Sequence, residues 1–211
     1  DVYKRQPPLS IKGISKPLNV ETIVDCSRSS QYLSALLLVS SAVESEVIIH
    51  AKNLEGSLSY VKMTLAQLEA LGQQLTRNEN SFILNAGNNL SGTFSVESDW
   101  SAASYFFSAL SFARKGTSIF LKGLKENSLQ GDAVLVEVYK SFGIVSQYLN
   151  DGLMIEREEE LLPEYFEFDF AQCPDIAQTL AVSCAGLGIS GRFKNVQSLR
   201  IKETNRIFAL Q

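Results

Sequence analysis

The sequence opens its first recognisable helix at residues 25–38, Asp25-Cys-Ser-Arg-Ser-Ser-Gln-Tyr-Leu-Ser-Ala-Leu-Leu-Leu38. A Ser-rich start and an apolar body are typical of a capped helix with one buried face. Similar stretches follow at residues 99–110 (Asp-Trp-Ser-Ala-Ala-Ser-Tyr-Phe-Phe-Ser-Ala-Leu) and 173–185 (Cys-Pro-Asp-Ile-Ala-Gln-Thr-Leu-Ala-Val-Ser-Cys-Ala). Their interval of roughly 72 residues predicts a repeated supersecondary unit.

The same series of patterns follows each of these helices. Extended runs end at Lys52, Lys122 and Lys194. Second helices are predicted at residues 60–71 and 132–142, closed by Gly72 and Gly143, and from near Lys202 onward. Alternating runs then predict paired strands, residues 81–85 with 92–96 and residues 143–147 with 152–156. The unit is strand–helix–strand–helix–strand–strand (βαβαββ), which predicts an α/β (α+β) fold of nearly three units with both ends cut mid-unit.

Composition narrows the functional classes. The 211 residues are 45% hydrophobic and 20% charged, which is typical of a globular protein. The net charge of −4 argues against nucleic acid or an anionic membrane as the main partner, because both need a basic surface. No apolar run reaches the roughly 18 residues of a membrane helix. Neither glycine-rich phosphate motif, GxGxxG or GxxxxGK[ST], occurs.

Cysteine and histidine content indicates a protein without a disulfide framework or a metal centre. Cys26, Cys173 and Cys184 are odd in number and show no paired spacing. His50 is the single histidine, and its strand-like surroundings predict an ordinary strand residue. We therefore expect no metal and no cofactor. Reduced cysteines, together with the lack of a signal peptide, predict a cytoplasmic location.

Three predicted helix starts carry polar residues that suit anionic or hydroxylated ligands. Ser29, Ser30 and Gln31 open the first helix, whose free N–H groups favour an anion, although plain N-capping explains serines equally well. Asp175 opens the third, where a carboxylate either caps the helix or accepts a proton from a substrate hydroxyl. In residues 198–206, Lys202 and Arg206 are four apart and are expected on one helical face, which offers either a solvated ion-pair surface or an anion clamp.

These motifs together resemble the EPSP synthase family. The stretches that carry the resemblance are Ser29-Ser-Gln-Tyr-Leu-Ser-Ala-Leu36, Gln130-Gly-Asp132, Pro174-Asp-Ile-Ala-Gln-Thr-Leu-Ala181 and Arg200-Ile-Lys-Glu-Thr-Asn-Arg206. They follow the family's order and spacing from about Pro7 to Gln211. The resemblance implies incomplete βαβαββ units of an inside-out α/β barrel. It also implies transfer of the enolpyruvyl group of phosphoenolpyruvate to the 5-hydroxyl of shikimate 3-phosphate, in the shikimate pathway of aromatic amino acid biosynthesis.

The resemblance also implies a binding site for the shikimate phosphate. Ser29 and Ser30 match the family's phosphate-binding serines, and Gln31 matches a residue that touches both substrates. Ser57 matches a further serine that contacts the phosphate. Tyr60 is a weaker candidate for a position beside the shikimate ring.

The reacting groups are implied in the same way. Asp175 matches a carboxylate that binds the shikimate hydroxyls and is a proposed proton acceptor, and Lys202 lies near the reacting hydroxyl. Glu203 matches the proposed proton shuttle at the phosphoenolpyruvate methylene. Arg206 is expected to pair with the phosphoenolpyruvate anion, a role that suits a guanidinium.

Two positions depart from the family pattern. Ser198 stands where some members carry an asparagine that binds shikimate, so its shorter side chain reaches the ligand only with a rearrangement or a water. Asn205 replaces the usual aspartate beside Arg206, which keeps the shape but removes a charge.

The family pattern further implies a division of the chain. Residues 1–6 are expected to be a non-native leader, residues 7–97 the end of an upper domain, and residues 98–211 the first part of a lower domain. The family's N-terminal cationic cluster and its later Asp-His-Arg and Lys motifs do not occur in this sequence. We therefore expect an internal fragment that is inactive alone, of a protein that is monomeric at full length.

Two alternatives stay open on sequence alone. A UDP-N-acetylglucosamine enolpyruvyltransferase would share the fold and the phosphoenolpyruvate chemistry, but it is expected to lack the Ser-Ser-Gln and Arg-x-Lys-Glu-Thr-x-Arg motifs. A non-catalytic βαβαββ scaffold, for example for RNA, is disfavoured by the net charge of −4 and by the lack of a basic, aromatic-interleaved stripe.

Overall fold

The computed structural model describes residues 10, 21–27, 29–54, 58–86, 93, 95–158, 162–202 and 204–211. These residues form nine strands and six α-helices. The strands are β1 (Glu21–Asp25), β2 (Val47–Lys52), β3 (Leu75–Asn78), β4 (Ser81–Leu84), β5 (Ser118–Lys122), β6 (Ile144–Leu149), β7 (Gly152–Arg157), β8 (Tyr165–Asp169) and β9 (Ser190–Lys194). The α-helices are α1 (Gln31–Ser40), α2 (Leu58–Ala70), α3 (Trp100–Ser111), α4 (Leu135–Lys140), α5 (Ala177–Leu187) and α6 (Arg206–Ala209).

The first repeat is a complete βαβαββ unit, whereas the sequence pattern predicted that the chain begins partway through a unit; β1 supplies the opening strand. Its sheet has the order β1-β2-β4-β3, with β1 parallel to β2 and the other neighbours antiparallel. Alternate residues of β2, namely Val47, Ile49 and Ala51, are buried. They pack in one hydrophobic cluster with buried residues of α1 and α2, such as Leu33 and Val61. The buried face of β2, formed by alternate residues, thus packs against the apolar helix faces that the sequence pattern predicted.

The other two repeats are partial copies of the same sheet. Strands β5, β7 and β6 form an antiparallel sheet in that order, equivalent to β2, β4 and β3. Strands β8 and β9 pair in parallel, as β1 and β2 do. The predicted pairing of residues 143–147 with 152–156 is confirmed. The described strands form three separate sheets and no closed barrel, which agrees with the predicted incomplete fold.

One predicted strand pair was wrong. Strand β4 pairs with β2 and with β3, and not with residues 92–96. Glu79 and Asn80 form the loop between Asn78 and Ser81, and Glu79 takes the left-handed conformation with φ of 50°. This tight turn folds β4 directly onto β3, so β4 pairs with β3 and not with the later residues 92–96. Thr93, Ser95 and Val96 lie outside any strand, whereas residues 92 and 94 are outside the described residues.

A second hydrophobic cluster joins the second and third repeats. Its fully buried members include Trp100, Phe107, Tyr139, Phe142 and Phe170. They come from α3, α4 and the segments flanking α4 and β8, so the two repeats share one core. The buried residues of the first repeat form their own cluster, which contains none of these side chains.

The helix expected from near Lys202 begins later than predicted. Helix α6 starts at Arg206, because the side chain of Asn205 accepts a hydrogen bond from the Phe208 N–H at 3.2 Å and caps the helix there. Lys202 lies in a bend between a 3-10 turn at Gln197–Arg200 and this cap. Lys202 and Arg206 therefore do not share a helical face, and the prediction that they do was wrong.

His50 is a strand residue, as predicted, and the three cysteines are buried. Cys26, Cys173 and Cys184 are unpaired and buried. His50 lies in β2 between Glu21 of β1 and Ser81 of β4, with its ring nitrogens 2.9 and 2.8 Å from their side-chain oxygens. Within the described part of the chain, no helix is long and apolar enough to cross a membrane. The same residues contain no cluster of three or more His, Cys, Asp or Glu side chains placed to hold a metal ion.

A row of buried hydroxyls holds α3 against α5. Ser104 Oγ lies 2.9 Å from Thr179 Oγ1, and Ser183 Oγ donates to Ser108 Oγ at 2.9 Å. The two pairs stand one helical turn apart on both helices, so they set the register between equivalent helices of neighbouring repeats. Tyr139 OH joins the row at 2.7 Å from Ser183 Oγ, and burial raises the pKa of Tyr139 to about 12.

We expect Ser183→Ala to lower the free energy of unfolding by about 1–3 kcal/mol, because it leaves the buried hydroxyls of Tyr139 and Ser108 without this partner. Urea unfolding followed by circular dichroism measures this loss. Ser141→Ala is the matched control, because Ser141 Oγ donates only to the Val138 carbonyl at the end of α4. An equal, small loss in both variants would contradict a special role for the hydroxyl row.

Candidate functional site

A cavity of about 420 Å³ lies between the first repeat and the third. One wall is the start of α1 together with α2, and the other is the turn before α5 together with the segment 198–202. This volume falls in the range of small-molecule sites in proteins. The cavity is lined by Ser29, Ser30, Gln31, Ser34, Tyr60, Met63, Thr64, Asp175, Ser198, Ile201 and Lys202.

The α1 wall presents hydroxyls at a helix N-terminus. Ser30 is the N-cap residue and is only 4% exposed, yet its side chain makes no capping hydrogen bond. Ser29 Oγ accepts from the Gln31 N–H at 3.2 Å. The capping explanation thus fails for Ser30 and holds for Ser29. The wall combines helix N–H groups with a hydroxyl that is not used for capping, an arrangement suited to an anion.

The opposite wall carries a carboxylate held between two cations. Asp175 lies in a 3-10 turn, Pro174–Ile176, immediately before α5. Its Oδ1 lies 3.1 Å from Arg206 Nη1 and 3.4 Å from Lys202 Nζ. Each of the three side chains is about one quarter exposed, at 24–25%. Arg206 Nη1 also donates to Gln178 Oε1 at 3.3 Å. The group carries one more positive than negative charge and opens into the cavity through Asp175 and Lys202.

Tyr60 connects the two walls. Its hydroxyl, on α2, donates to Asp175 Oδ2 at 2.7 Å across 115 positions of sequence. Burial raises the pKa of Tyr60, and the nearby carboxylates Asp132 and Asp175 raise it further. The phenol therefore keeps its proton and stays a hydrogen-bond donor.

Asp175 stays ionised at neutral pH for a clear reason. Burial on its own would raise its pKa, but the hydrogen bond from Tyr60 and the charges of Lys202 and Arg206 outweigh that effect. The pKa of Asp175 therefore lies below the ordinary value. The carboxylate can accept hydrogen bonds from a ligand hydroxyl, and its strength as a base depends on how closely the two cations stay.

Close backbone contacts fix the distance between the walls. Ser59 Oγ, on α2, donates to the Gln172 carbonyl at 2.9 Å. A Cβ at Gly131 would lie only 2.4 Å from the same carbonyl oxygen and 3.3 Å from Ser59 Cβ. Glycine at this position in the Gln130-Gly131-Asp132 motif therefore permits α2, the 131–134 turn and the 171–175 turn to meet.

The structure brings most of the predicted site residues together. Seven of them line the cavity: Ser29, Ser30, Gln31, Tyr60, Asp175, Ser198 and Lys202. Arg206 joins them through Asp175. Ser57 and Glu203 lie outside the described residues. Sequence reasoning missed Ser34 and Thr64, which stand one turn beyond Ser30 and Tyr60, and this helical spacing was the available signal.

Comparison with known proteins identifies the family. The family model that describes EPSP synthase (3-phosphoshikimate 1-carboxyvinyltransferase) matches residues 3–211. This chain belongs to the EPSP synthase family. The assignment agrees with the motifs at the start of α1, at Asp175 and at residues 200–206, and it selects this family over the UDP-N-acetylglucosamine enolpyruvyltransferases.

Curated relatives and a solved structure agree with membership of the EPSP synthase family. A 3-phosphoshikimate 1-carboxyvinyltransferase of Bacteroides fragilis is 34% identical over 206 residues, which cover 97% of this chain and 50% of the relative. One from Methanospirillum hungatei is 31% identical over 209 residues, which cover 97% of this chain and 48% of the relative. The chain thus spans about half the length of these relatives. The structure of EPSP synthase from Acinetobacter baumannii superposes with a TM-score of 0.64 at 19% identity, over 90% of this chain and 44% of that one, and shows the shared fold.

Proposed function

We propose that this chain forms part of an enzyme that transfers the enolpyruvyl group of phosphoenolpyruvate to the 5-hydroxyl of shikimate 3-phosphate. The observation that carries the proposal is the cavity in which the Ser29-Ser30-Gln31 helix start faces Asp175 and Lys202. Both substrates are anions, and the cavity offers helix N–H groups and cations to receive them. The proposed reaction is the one named for relatives that are 31–34% identical to this chain.

In this proposal the shikimate phosphate binds at the start of α1. Ser30 contributes the hydroxyl that makes no capping bond, and the helix terminus contributes N–H groups. Gln31 is exposed at the rim and reaches either substrate. Ser57 is assigned to the same phosphate, and Ser198 to the shikimate hydroxyls on the opposite side, where it lines the cavity.

Asp175, Lys202 and Glu203 are the proposed catalytic residues. Asp175 receives a shikimate hydroxyl and accepts its proton as the oxygen adds to C2 of phosphoenolpyruvate, while Glu203 is assigned to protonation of the methylene carbon. The methyl carbon of the intermediate then returns a proton to Glu203 as the C–O bond to phosphate breaks, which gives the enolpyruvyl ether and free phosphate. Lys202 stabilises the negative charge that develops on the reacting oxygens of the substrates.

In this scheme, Arg206 makes the basicity of Asp175 depend on whether phosphoenolpyruvate is bound. It now pairs with Asp175 at 3.1 Å, and a phosphoenolpyruvate anion would compete for the same guanidinium. Because Arg206 helps to hold the pKa of Asp175 low, withdrawing it raises that pKa. Binding of phosphoenolpyruvate would thus make Asp175 a stronger base at the moment when it is needed.

We propose that residues 7–97 belong to one domain of the complete protein and residues 98–211 to the other. The two separate hydrophobic clusters support this division, because all described members of the first lie before residue 97 and all those of the second lie after it. The cavity then lies between the domains, a common position for ligand sites.

Calorimetry with shikimate 3-phosphate tests the binding half of the proposal. We expect the chain to bind it, and the double variant Ser29→Ala, Ser30→Ala to bind roughly 10²- to 10⁴-fold more weakly, because two charge-assisted hydrogen bonds are lost and each contributes about 1.5–3 kcal/mol. Ser118→Ala, at an exposed position that begins β5, is the matched control. Unchanged affinity in the double variant would refute the assignment of these serines to the phosphate.

Phosphate release in the presence of both substrates tests the reaction. We use a hybrid enzyme, in which this chain replaces the matching 206-residue region of the Bacteroides fragilis relative. The hybrid enzyme is expected to turn over. The 211-residue chain alone is expected not to, because it spans about half of that relative and supplies only the two cations beside Asp175 among the described site residues.

A further inference from the structure

Asp132 is a buried carboxyl that the proposed reaction does not use. It lies in the 3-10 turn Gly131–Val134 and is only 4% exposed. Its Oδ2 accepts a hydrogen bond from Ser101 Oγ at the start of α3. Its Oδ1 is fully buried and has no hydrogen-bond partner among the described residues. A carboxylate with one unpaired oxygen is costly to bury.

Asp132 lies on the far side of Tyr60 from the proposed site. A second cavity, of about 160 Å³, is lined by Asp132, Ser101, Asp99 and Tyr60 among others. Tyr60 and Met63 line both this cavity and the larger one. Apart from burial, Asp132 is the strongest influence that raises the pKa of Tyr60, which places its charge close to the phenol that donates to Asp175.

The groups that face Asp132 come from every element around it. They are Tyr60 of α2, Asp99 and Ser101 at the start of α3, Cys173 and Asp175 before α5, and Lys202. The pKa of Asp132 is raised to about 6, chiefly by burial. The Ser101 hydrogen bond lowers this pKa, the negative charges of Asp175 and Asp99 raise it, and the positive charge of Lys202 lowers it. Asp132 is therefore mostly ionised at neutral pH and mostly protonated at pH 5.

We propose that Asp132 is a positioning residue for Asp175, whose carboxylate it keeps basic by placing a second negative charge behind Tyr60. This inference rests on the proposed function, because it takes Asp175 as the proton acceptor. The two cations beside Asp175 would otherwise leave it a weak base. The like charge of Asp132 opposes them without touching the substrates, because Asp132 does not line the larger cavity.

The first test is independent of catalysis. Carbon-13 NMR titration of the aspartate carboxyls in the 211-residue chain follows Asp132, which titrates at a pH where Asp175 is already ionised. Because the interaction between two charges is mutual, we expect the pKa of Asp132 in Asp175→Asn to fall below its value in the parent. Asp151→Asn is the matched control, because Asp151 is exposed in the β6–β7 turn and pairs with Lys122 at 3.2 Å. An unchanged Asp132 titration in Asp175→Asn would overturn the proposal.

Stability separates this role from a structural one. The folded-state pKa of Asp132, about 6, lies above the ordinary value of 3.8, so protonated Asp132 favours folding and this contribution disappears as pH rises through 6. Asp132→Asn should therefore raise the melting temperature above pH 6 while it weakens Asp175 as a base. A purely structural carboxylate would instead lower the melting temperature when it is replaced.

The second test is the pH dependence of kcat/KM in the hybrid enzyme. We expect the parent to lose activity as pH falls through about 6, and Asp132→Asn to lose this step and to run roughly threefold to tenfold slower above pH 6. Ser101→Ala removes the hydrogen bond that lowers the pKa of Asp132, so it should move the step to higher pH. Ser101→Ala also serves if Asp132→Asn fails to fold.

The two hypotheses fail in different ways. If the hybrid enzyme does not turn over but Asp132 responds to Asp175→Asn in the NMR titration, the proposed function fails, and the two carboxyls are coupled without a role in catalysis. If the hybrid enzyme turns over and neither Asp132→Asn nor Ser101→Ala changes its pH profile, the role of Asp132 is refuted and the proposed function stands.

Discussion

Asp175→Asn in the hybrid enzyme is expected to lower kcat by roughly 10²- to 10⁴-fold, the range typical of a lost general base. The amide keeps the size of the side chain and can still accept the Tyr60 hydrogen bond, which is 2.7 Å long in the structure. It can no longer take a proton from the substrate hydroxyl. Steady-state phosphate release measures the loss, and Asp151→Asn, at an exposed turn, is the matched control.

The same variant separates chemistry from folding. The pKa of Asp175 lies below the ordinary value of 3.8, so its ion pairs stabilise the fold above that pH and are lost as pH falls through the folded-state value. Melting temperatures of the parent and Asp175→Asn should therefore differ at pH 7 and converge in acid. Retention of full kcat in Asp175→Asn would remove Asp175 from the mechanism, whatever its effect on stability.

Trp100→Ala should lower the free energy of unfolding by about 3–5 kcal/mol, the largest stability effect that we expect. Trp100 is the first residue of α3 and is fully buried in the cluster shared by the second and third repeats. Its Nε1 donates to Glu97 Oε1 at 2.9 Å, so truncation removes both core volume and a charge-assisted hydrogen bond.

The Glu97 carboxylate is the centre of a hydrogen-bond network at the predicted boundary between domains. It accepts hydrogen bonds from Trp100 Nε1, the Lys125 N–H, Ser128 Oγ and Gln130 Nε2. Trp100→Phe keeps most of the core volume and loses only the bond to Glu97, so it should cost about 1–2 kcal/mol. Circular dichroism is the readout, because the chain has a single tryptophan and both variants remove it. Similar losses in the two variants would show that the hydrogen bond, and not packing, dominates at this position.

The repeat was predictable because its signals are local. A period of two in β2, a helical apolar face in α1, and Gly72 and Gly143 at positive φ are each written within a few adjacent residues. The βαβαββ unit could therefore be assembled in order without knowledge of any contact. The pairing of β4 was not predictable from the same pattern, because alternation within a run does not say which neighbouring run it pairs with, and the Glu79-Asn80 turn decided this.

By itself, the sequence determined the repeat, the family motifs and the polar helix starts. Only the tertiary structure decided which of those starts meet, since Tyr60 reaches Asp175 across 115 positions and the clamp on that carboxylate is built from a bend and a helix start rather than one helical face. Asp132 shows the same limit: nothing in its neighbours along the chain indicates burial behind Tyr60. Local propensity acts within one element, whereas the charge and burial of a site depend on residues from several elements packed together.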